Sequence, residues 1–230
     1  MAGQPVTESV TFPSNGGQGM GYLARPDDGA AHPGVVVIQE WWGLEEHIKD
    51  VARRLAREGF VALAPDLYHG RVTGEPDEAR KLAMGLDRDR AVKDLDGAVD
   101  FLCGMSQVAP KQVGMVGFCM GGGLTLLMAC RNADLGAAAV FYGGNMGSPD
   151  LLRQLHCPLF GAFGERDEGI PLDRVEALKE GLQQSGQPVE IRIYPGAPHA
   201  FFNDTRPSYR PEAAQDAWQR TLALFHERLR

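Results

Sequence analysis

Short apolar runs alternate along the chain with longer stretches whose apolar residues recur at helical spacing. Val35 to Ile38 form a continuous β-branched run, typical of a strand that is covered on both faces. Ile48, Val51 and Leu55 recur at the spacing of a helix. The pattern predicts strands at residues 6–12, 20–24, 35–38, 60–64, 113–116, 137–142, 158–163 and 189–194. It predicts helices at residues 45–58, 77–84, 87–103, about 120–131, 172–185 and 209–229.

Strands that alternate with helices in this way indicate βαβ units and a parallel sheet. The first two strands are an exception, because the polar segment Ser14-Asn15-Gly16-Gly17 between them indicates an N-terminal β-hairpin. No linker, repeat or low-complexity stretch interrupts the rest. We therefore predict a single α/β domain over residues 1–230, with a mostly parallel, twisted sheet and helices on both faces.

Composition excludes two classes of partner. The chain has 230 residues, of which 43% are hydrophobic and 23% charged, and its formal net charge is -7. An acidic balance argues against nucleic acid, which selects basic surfaces. No stretch approaches the 18 consecutive apolar residues of a membrane-spanning helix, so we expect no membrane partner. The first residues lack a basic segment followed by an apolar one, so we expect no signal peptide.

The four cysteines indicate a reducing compartment. Cys103, Cys119, Cys130 and Cys157 could form two disulfides, but so few cysteines in a chain without an export signal are more typical of free thiols. We therefore expect a cytoplasmic protein. Neither a C-x-x-C nor an H-E-x-x-H pattern occurs, and we expect no metal.

One cysteine lies in a turn with the sequence signature of a nucleophile. The segment from Gly117 to Gly121 joins an apolar strand to a helix and reads G-x-C-x-G, a nucleophile elbow with cysteine in place of serine. Small flanking residues are needed because the nucleophile's backbone is strained and its neighbours pack closely. The alternative is a tight turn with a buried cysteine. A phosphate-binding loop is disfavoured, since neither of the glycine-rich nucleotide motifs is present.

Polar residues with matching chemistry follow other predicted strands. Asp167 comes just after the strand at 158–163, and His199 follows the strand at 189–194. Ligands of such sheets bind outside the carboxyl ends of the strands. The chain order is therefore nucleophile, acid, histidine, as in α/β-hydrolases. Glu165 and Asp173 remain rivals of Asp167 as the acid.

These residue types have complementary roles in acyl transfer. A free cysteine is mostly thiol at neutral pH, and a histidine within hydrogen-bond reach can take its proton while the acid orients the imidazole. Attack of Cys119 on an ester would form a thioester that water then hydrolyses. The developing oxyanion needs two donors, for which we expect the backbone amides of Met120 and Trp41.

Motifs along nearly the whole chain resemble the dienelactone hydrolase (carboxymethylenebutenolidase) family. They are Gln39-Glu40-x-x-Gly43, Pro65-Asp66-Leu67-Tyr68, Gly117-Phe118-Cys119-Met120-Gly121-Gly122, Asp167, and Pro195-Gly196-x-x-His199 with Phe201. The resemblance implies a small α/β-hydrolase without a large lid, a Cys119, Asp167 and His199 triad, no cofactor, and a monomer. It also implies that the carboxylate of Glu40 keeps the resting thiol protonated and takes part in thiolate formation once substrate binds.

The chain departs from that family where the substrate's carboxylate is held. Pro76 and Asn203 align with two arginines of the family, and Ala200 aligns with a serine. Arg80 lies about one helical turn beyond Pro76 and is a candidate substitute. Three further side chains are candidates to line the site, with core packing as the alternative: Trp42, Tyr142 and Phe201.

The sequence thus predicts a cysteine-dependent hydrolase of small esters or lactones. Two other readings stay open at this point. A non-catalytic ligand-binding protein could use the same fold, because fold does not determine function. A thioesterase or acyltransferase could use the same triad, because it differs only in its leaving group or acceptor.

Overall fold

The computed structural model describes residues 3–15 and 17–230. Its strands are β1 (Val6–Ser14), β2 (Gly17–Arg25), β3 (Gly34–Ile38), β4 (Val61–Pro65), β5 (Val113–Phe118), β6 (Leu135–Phe141), β7 (Leu159–Gly164) and β8 (Val189–Tyr194). Its helices are α1 (Glu46–Arg57), α2 (Pro76–Met84), α3 (Arg88–Gly104), α4 (Met120–Ala129), α5 (Pro149–Leu152), α6 (Leu172–Gln183) and α7 (Pro211–Arg228). All the strands and helices that the sequence predicts are present, with ends that shift by a few residues.

The strands form one sheet in the order β1-β2-β4-β3-β5-β6-β7-β8. β1 pairs antiparallel with β2, and β2 pairs antiparallel with β4. The pairs β3–β4, β6–β7 and β7–β8 are parallel. The predicted hairpin and the mostly parallel sheet are therefore confirmed. The turn of the hairpin contains Gly16, which lies outside the described residues.

The chain divides into two compact units. The first holds the residues up to Gly114 together with Leu229 and Arg230. Its strand β3 is fully buried along its length, which explains the unbroken run of Val and Ile. Helix α1 buries the face that carries Ile48, Val51 and Leu55, as its periodicity predicts.

The second unit runs from Met115 to Arg228. Helix α4 is buried on almost all sides, so its sequence is apolar throughout rather than amphipathic. The rings of Phe118, Phe141 and Phe202 pack together beside it, with centroids 4.8 to 5.1 Å apart. The prediction of one domain over the whole chain stays a prediction.

The short helix α5 is missing from the sequence prediction. It has only four residues, too few to display a period, and it begins where the Ser148 hydroxyl accepts a hydrogen bond from the Leu151 amide. No helix in the described part of the chain is long and apolar enough to cross a membrane.

Candidate active site

Cys119 lies between the end of β5 and the start of α4 in a backbone conformation that few residues adopt. Its φ is 54° and its ψ is −115°. Its amide donates to the Phe141 carbonyl at 3.0 Å, and its carbonyl accepts from the Gly123 amide at 3.2 Å. Strain of this kind persists only where the surroundings impose it, and it is typical of functional sites. The turn has the conformation of a nucleophile elbow.

Gly117 is required for the close approach of strand and helix. A Cβ atom at this position would lie 2.2 Å from the Gly121 carbonyl oxygen and 2.4 Å from Thr125 Oγ1. Real Cβ atoms do not come so near backbone oxygens, so any side chain here would force β5 and α4 apart. This explains why a glycine stands two residues before the cysteine.

We expect Gly117→Ala to lower the free energy of unfolding by about 3 kcal/mol or more, since the clash is with backbone and cannot be relieved by rotation of a side chain. Urea unfolding would measure the loss. Gly104→Ala is the matched control, because a Cβ there meets nothing within 4 Å. Equal unfolding midpoints for the two variants would contradict this account of the turn.

The His199 imidazole is held by a buried carboxylate. His199 Nδ1 lies 2.6 Å from Asp167 Oδ2, and Asp167 Oδ1 accepts hydrogen bonds from the amides of Gly169 and Ile170 at 2.9 and 3.2 Å. The Asp167 side chain is fully buried, whereas that of His199 is 39% exposed. The carboxylate is thus fixed in place, and the imidazole remains accessible.

The structure distinguishes Asp167 from the two rival acids. Glu165 Oε2 accepts from the Gly196 amide at 2.8 Å, and Asp173 Oδ1 accepts from the Arg174 amide at 2.8 Å. Both rivals are exposed. Of the three carboxylates, Asp167 is the one that is hydrogen-bonded to His199.

Both predicted partners of His199 act on the pKa of its imidazole. Burial disfavours the imidazolium, but hydrogen bonds to Asp167 and Cys119, together with the charges of both groups, raise the pKa of His199 to about 10. A protonated imidazole next to the sulfur stabilises a thiolate. With Nδ1 bound to Asp167, Nε2 is the ring nitrogen left for Cys119. The elbow, the acid and the histidine therefore form one connected set within the second unit.

Tyr142 and Phe201 pack beneath the histidine and are not exposed. The Tyr142 ring lies edge-on to the imidazole with centroids 5.1 Å apart, and the Phe201 ring lies 5.5 Å from that of Tyr142. Both side chains have no accessible surface. Their complete burial favours the alternative of core packing, and the suggestion that they line the site stays a prediction. The backbone is left-handed at Tyr142 and Ala200, where φ is 39° and 56°, and the residue types there do not predict this.

Apart from Met120, the remaining predicted residues lie in the first unit. Glu40 is buried just after β3, with 1% of its surface exposed. Trp41 and Trp42 are half-buried, with their rings 5.0 Å apart in an edge-on arrangement. Arg80 is exposed on α2. Met120, the other predicted oxyanion donor, is the first residue of α4 in the second unit, where helix amides point toward the N-terminal end.

The positions that depart from the resemblance have local structural roles. Pro76 is the first residue of α2, where a missing N–H costs nothing. Asn203 is buried, and its Oδ1 accepts hydrogen bonds from the Thr205 amide and hydroxyl at 3.1 and 2.6 Å. Within the described ranges, no three His, Cys, Asp or Glu side chains are grouped as metal ligands would be.

Comparison with known proteins gives a consistent set of relatives. A model of the dienelactone hydrolase family matches residues 20–229. "Protein usf" of Aquifex pyrophilus is 40% identical, with 96% of this chain and 99% of the relative aligned. The "Putative carboxymethylenebutenolidase" of Methylorubrum extorquens is 35% identical over 96% of this chain and 81% of its own.

Solved structures give the same result at the level of the fold. A crystal structure from Klebsiella pneumoniae, named "Putative Dienelactone Hydrolase", superposes with a TM-score of 0.91. It is 34% identical and covers 98% of this chain and 100% of its own. The α/β-hydrolase fold predicted from the order of the motifs is therefore confirmed.

Proposed function

The chain belongs to the dienelactone hydrolase family, and we propose that it hydrolyses small esters or lactones through Cys119, His199 and Asp167. As a member of this family, it is a hydrolase that acts on esters. The observation that carries the finer proposal is the connected set of side chains in the second unit. A cysteine on a strained elbow acts on the pKa of a histidine whose Nδ1 is 2.6 Å from a buried carboxylate.

Acylation requires the proton of Cys119 to reside on His199, and the raised pKa of that imidazole, about 10, favours this arrangement. The thiolate attacks the carbonyl carbon of the ester, and the carbonyl oxygen becomes an oxyanion next to the amide of Met120. As the tetrahedral intermediate collapses, the bond to the alcohol oxygen breaks and His199 returns its proton to that oxygen. The products of this half-reaction are a thioester on Cys119 and the free alcohol, or an open chain when the substrate is a lactone.

Deacylation uses the same histidine as a base. His199, now neutral, takes a proton from a water molecule, which attacks the thioester carbonyl. The carbon–sulfur bond then breaks and the carboxylic acid product leaves. Cys119 and His199 are thereby returned to their starting state, with one proton between them. Asp167 stays ionised throughout and keeps Nδ1 protonated, so that Nε2 can accept and return the mobile proton.

The roles expected of Glu40, Trp41, Trp42 and Arg80 stay predictions. The absence of cations at Pro76 and Asn203 favours substrates that carry less negative charge than dienelactone. Both positions are occupied by residues with roles of their own, since Pro76 begins α2 and the Asn203 side chain binds Thr205.

Parallel assays with dienelactone and p-nitrophenyl acetate test the proposal. We expect turnover of the acetate ester, and slower turnover of the anionic lactone at equal concentration. Prior alkylation with iodoacetamide should abolish both activities. The proposal fails if neither substrate nor a wider panel of esters and thioesters is hydrolysed, in which case a ligand-binding role is the better account.

A further inference from the structure

The first unit contains a cavity that none of the residues in the proposed mechanism lines. Its volume is about 330 Å³, and it lies between the loop that follows β4 and the turn that joins α2 to α3. The apolar side chains that line it are largely buried: Leu67, Tyr68, Leu82 and Ala91 are each less than 10% exposed. Small-molecule sites are typically concave, of this size or larger, and mostly apolar with a few polar groups.

Basic side chains surround this apolar floor. The cavity is also lined by His69, Arg71, Lys81 and Arg90. We call the cavity formed by these four residues and the apolar side chains named above, its apolar floor, the basic cleft. Arg71 and Lys81 make no ion pair with any residue that the structure describes. Two cations without an ion pair among the described residues therefore line the cleft.

The two acids that also line the cleft are already engaged. Asp87 Oδ1 accepts a hydrogen bond from the Arg90 amide at 3.1 Å and so caps α3. Asp94 is buried, accepts a hydrogen bond from the Ser14 hydroxyl, and lies with Oδ2 3.4 Å from His69 Nε2. Arg90 Nε is 3.9 Å from the same carboxylate. Neither acid forms an ion pair with Arg71 or Lys81.

The loop that carries His69 and Arg71 is held in a fixed conformation. The Asp66 carboxylate accepts hydrogen bonds from the amides of Tyr68 and Gly70 at 3.0 and 2.6 Å. The backbone of His69 between them is left-handed, with φ of 52°. Gln39 Oε1 accepts from the Leu67 amide at 3.2 Å. These hydrogen bonds hold the loop in one conformation without a ligand, which reduces the entropic cost of binding.

We propose that the basic cleft binds a small organic carboxylate with an apolar body. The body would rest on Leu67 and Leu82, and the carboxylate would accept charge-assisted hydrogen bonds from Arg71 and Lys81. None of the residues that line the basic cleft belongs to the proposed triad. The proposal does not depend on whether the triad is catalytic.

Benzoate is a suitable probe, with benzamide as its neutral counterpart. Titration of the full-length protein, followed by ¹H–¹⁵N NMR, should shift amides in residues 67–71 and 81–94 with saturable benzoate binding. Arg71→Gln with Lys81→Gln should weaken that binding about tenfold or more, since two charge-assisted contacts are lost. Arg88→Gln with Lys93→Gln is the matched control, because it removes two cations of α3 that do not line the cleft.

Three results would overturn the proposal. One is benzoate binding that the Arg71 and Lys81 substitutions leave unchanged. Another is binding of benzamide as tight as that of benzoate, which would mean that the cations contribute nothing. The third is equally tight binding of inorganic phosphate, which would mean that the apolar floor contributes nothing.

Discussion

Cys119→Ala is expected to lower kcat for p-nitrophenyl acetate by at least about 10⁴-fold, because it removes the atom that forms the acyl-enzyme. The substitution should barely affect folding. Cys119 is half-buried, and its backbone conformation is set by the bonds of its amide and carbonyl to Phe141 and Gly123. Steady-state kinetics beside urea unfolding would separate the loss of activity from any loss of stability.

The other thiols supply the control for this experiment. Cys103 is also half-buried and donates to the Lys111 carbonyl, so Cys103→Ser should leave kcat within about twofold. Burial raises the pKa of Cys130 to about 11. Burial and the nearby charge of Cys130 raise that of Cys157 to about 12, so neither thiol reacts readily at neutral pH. Activity that survived in Cys119→Ala would contradict the proposed mechanism.

Asp167→Asn is expected to lower kcat by about 10³- to 10⁴-fold with little change in fold. The asparagine oxygen can still accept from the amides of Gly169 and Ile170, as Asp167 Oδ1 does. Its amide nitrogen would then face His199 Nδ1 and donate to it. That forces the imidazole proton onto Nε2, which can no longer take the proton of the thiol.

The pKa of His199 is a second quantity to measure, and it would not change if Asp167 had only a structural role. Because the hydrogen bond and charge of Asp167 help to raise the pKa of His199 to about 10, Asp167→Asn should lower it, as followed by NMR of the imidazole. Asp173→Asn serves as the control, since this exposed carboxylate accepts only from a neighbouring amide. If Asp173→Asn lowered kcat as much as Asp167→Asn, the assignment of the acid would be wrong.

Much of the fold could be predicted because buried strands and amphipathic helices leave periodic patterns. The run at β3 and the spacing of Ile48, Val51 and Leu55 in α1 both report which faces are buried. Helix α5 could not be predicted, because four residues begun by Ser148 contain barely one turn. The pairing of β2 with β4 rather than with β3 depends on contacts between distant segments.

The site was predictable to the extent that it depends on turn chemistry. A Cβ at Gly117 would lie 2.2 Å from the Gly121 carbonyl oxygen, so the elbow requires glycine there and is visible in the residue types. The residue pattern left Glu165 and Asp173 as rivals of Asp167, which only the family resemblance favoured, because the choice depends on how the backbone orients three nearby carboxylates. The basic cleft was also missed, since Ser14, His69 and Asp94 are far apart in the sequence and meet only after folding.

Location of the acyl group tests the central claim most directly. The protein would be mixed with p-nitrophenyl acetate, quenched rapidly in acid and digested with trypsin. The peptide covering residues 112–131 contains both Cys119 and Cys130, so it must be fragmented to distinguish them. We predict an acetyl group on Cys119 that appears within the first turnover and is absent from Cys119→Ala. Acetylation of a different residue, or turnover with no acyl group at any quench time, would contradict the thioester mechanism.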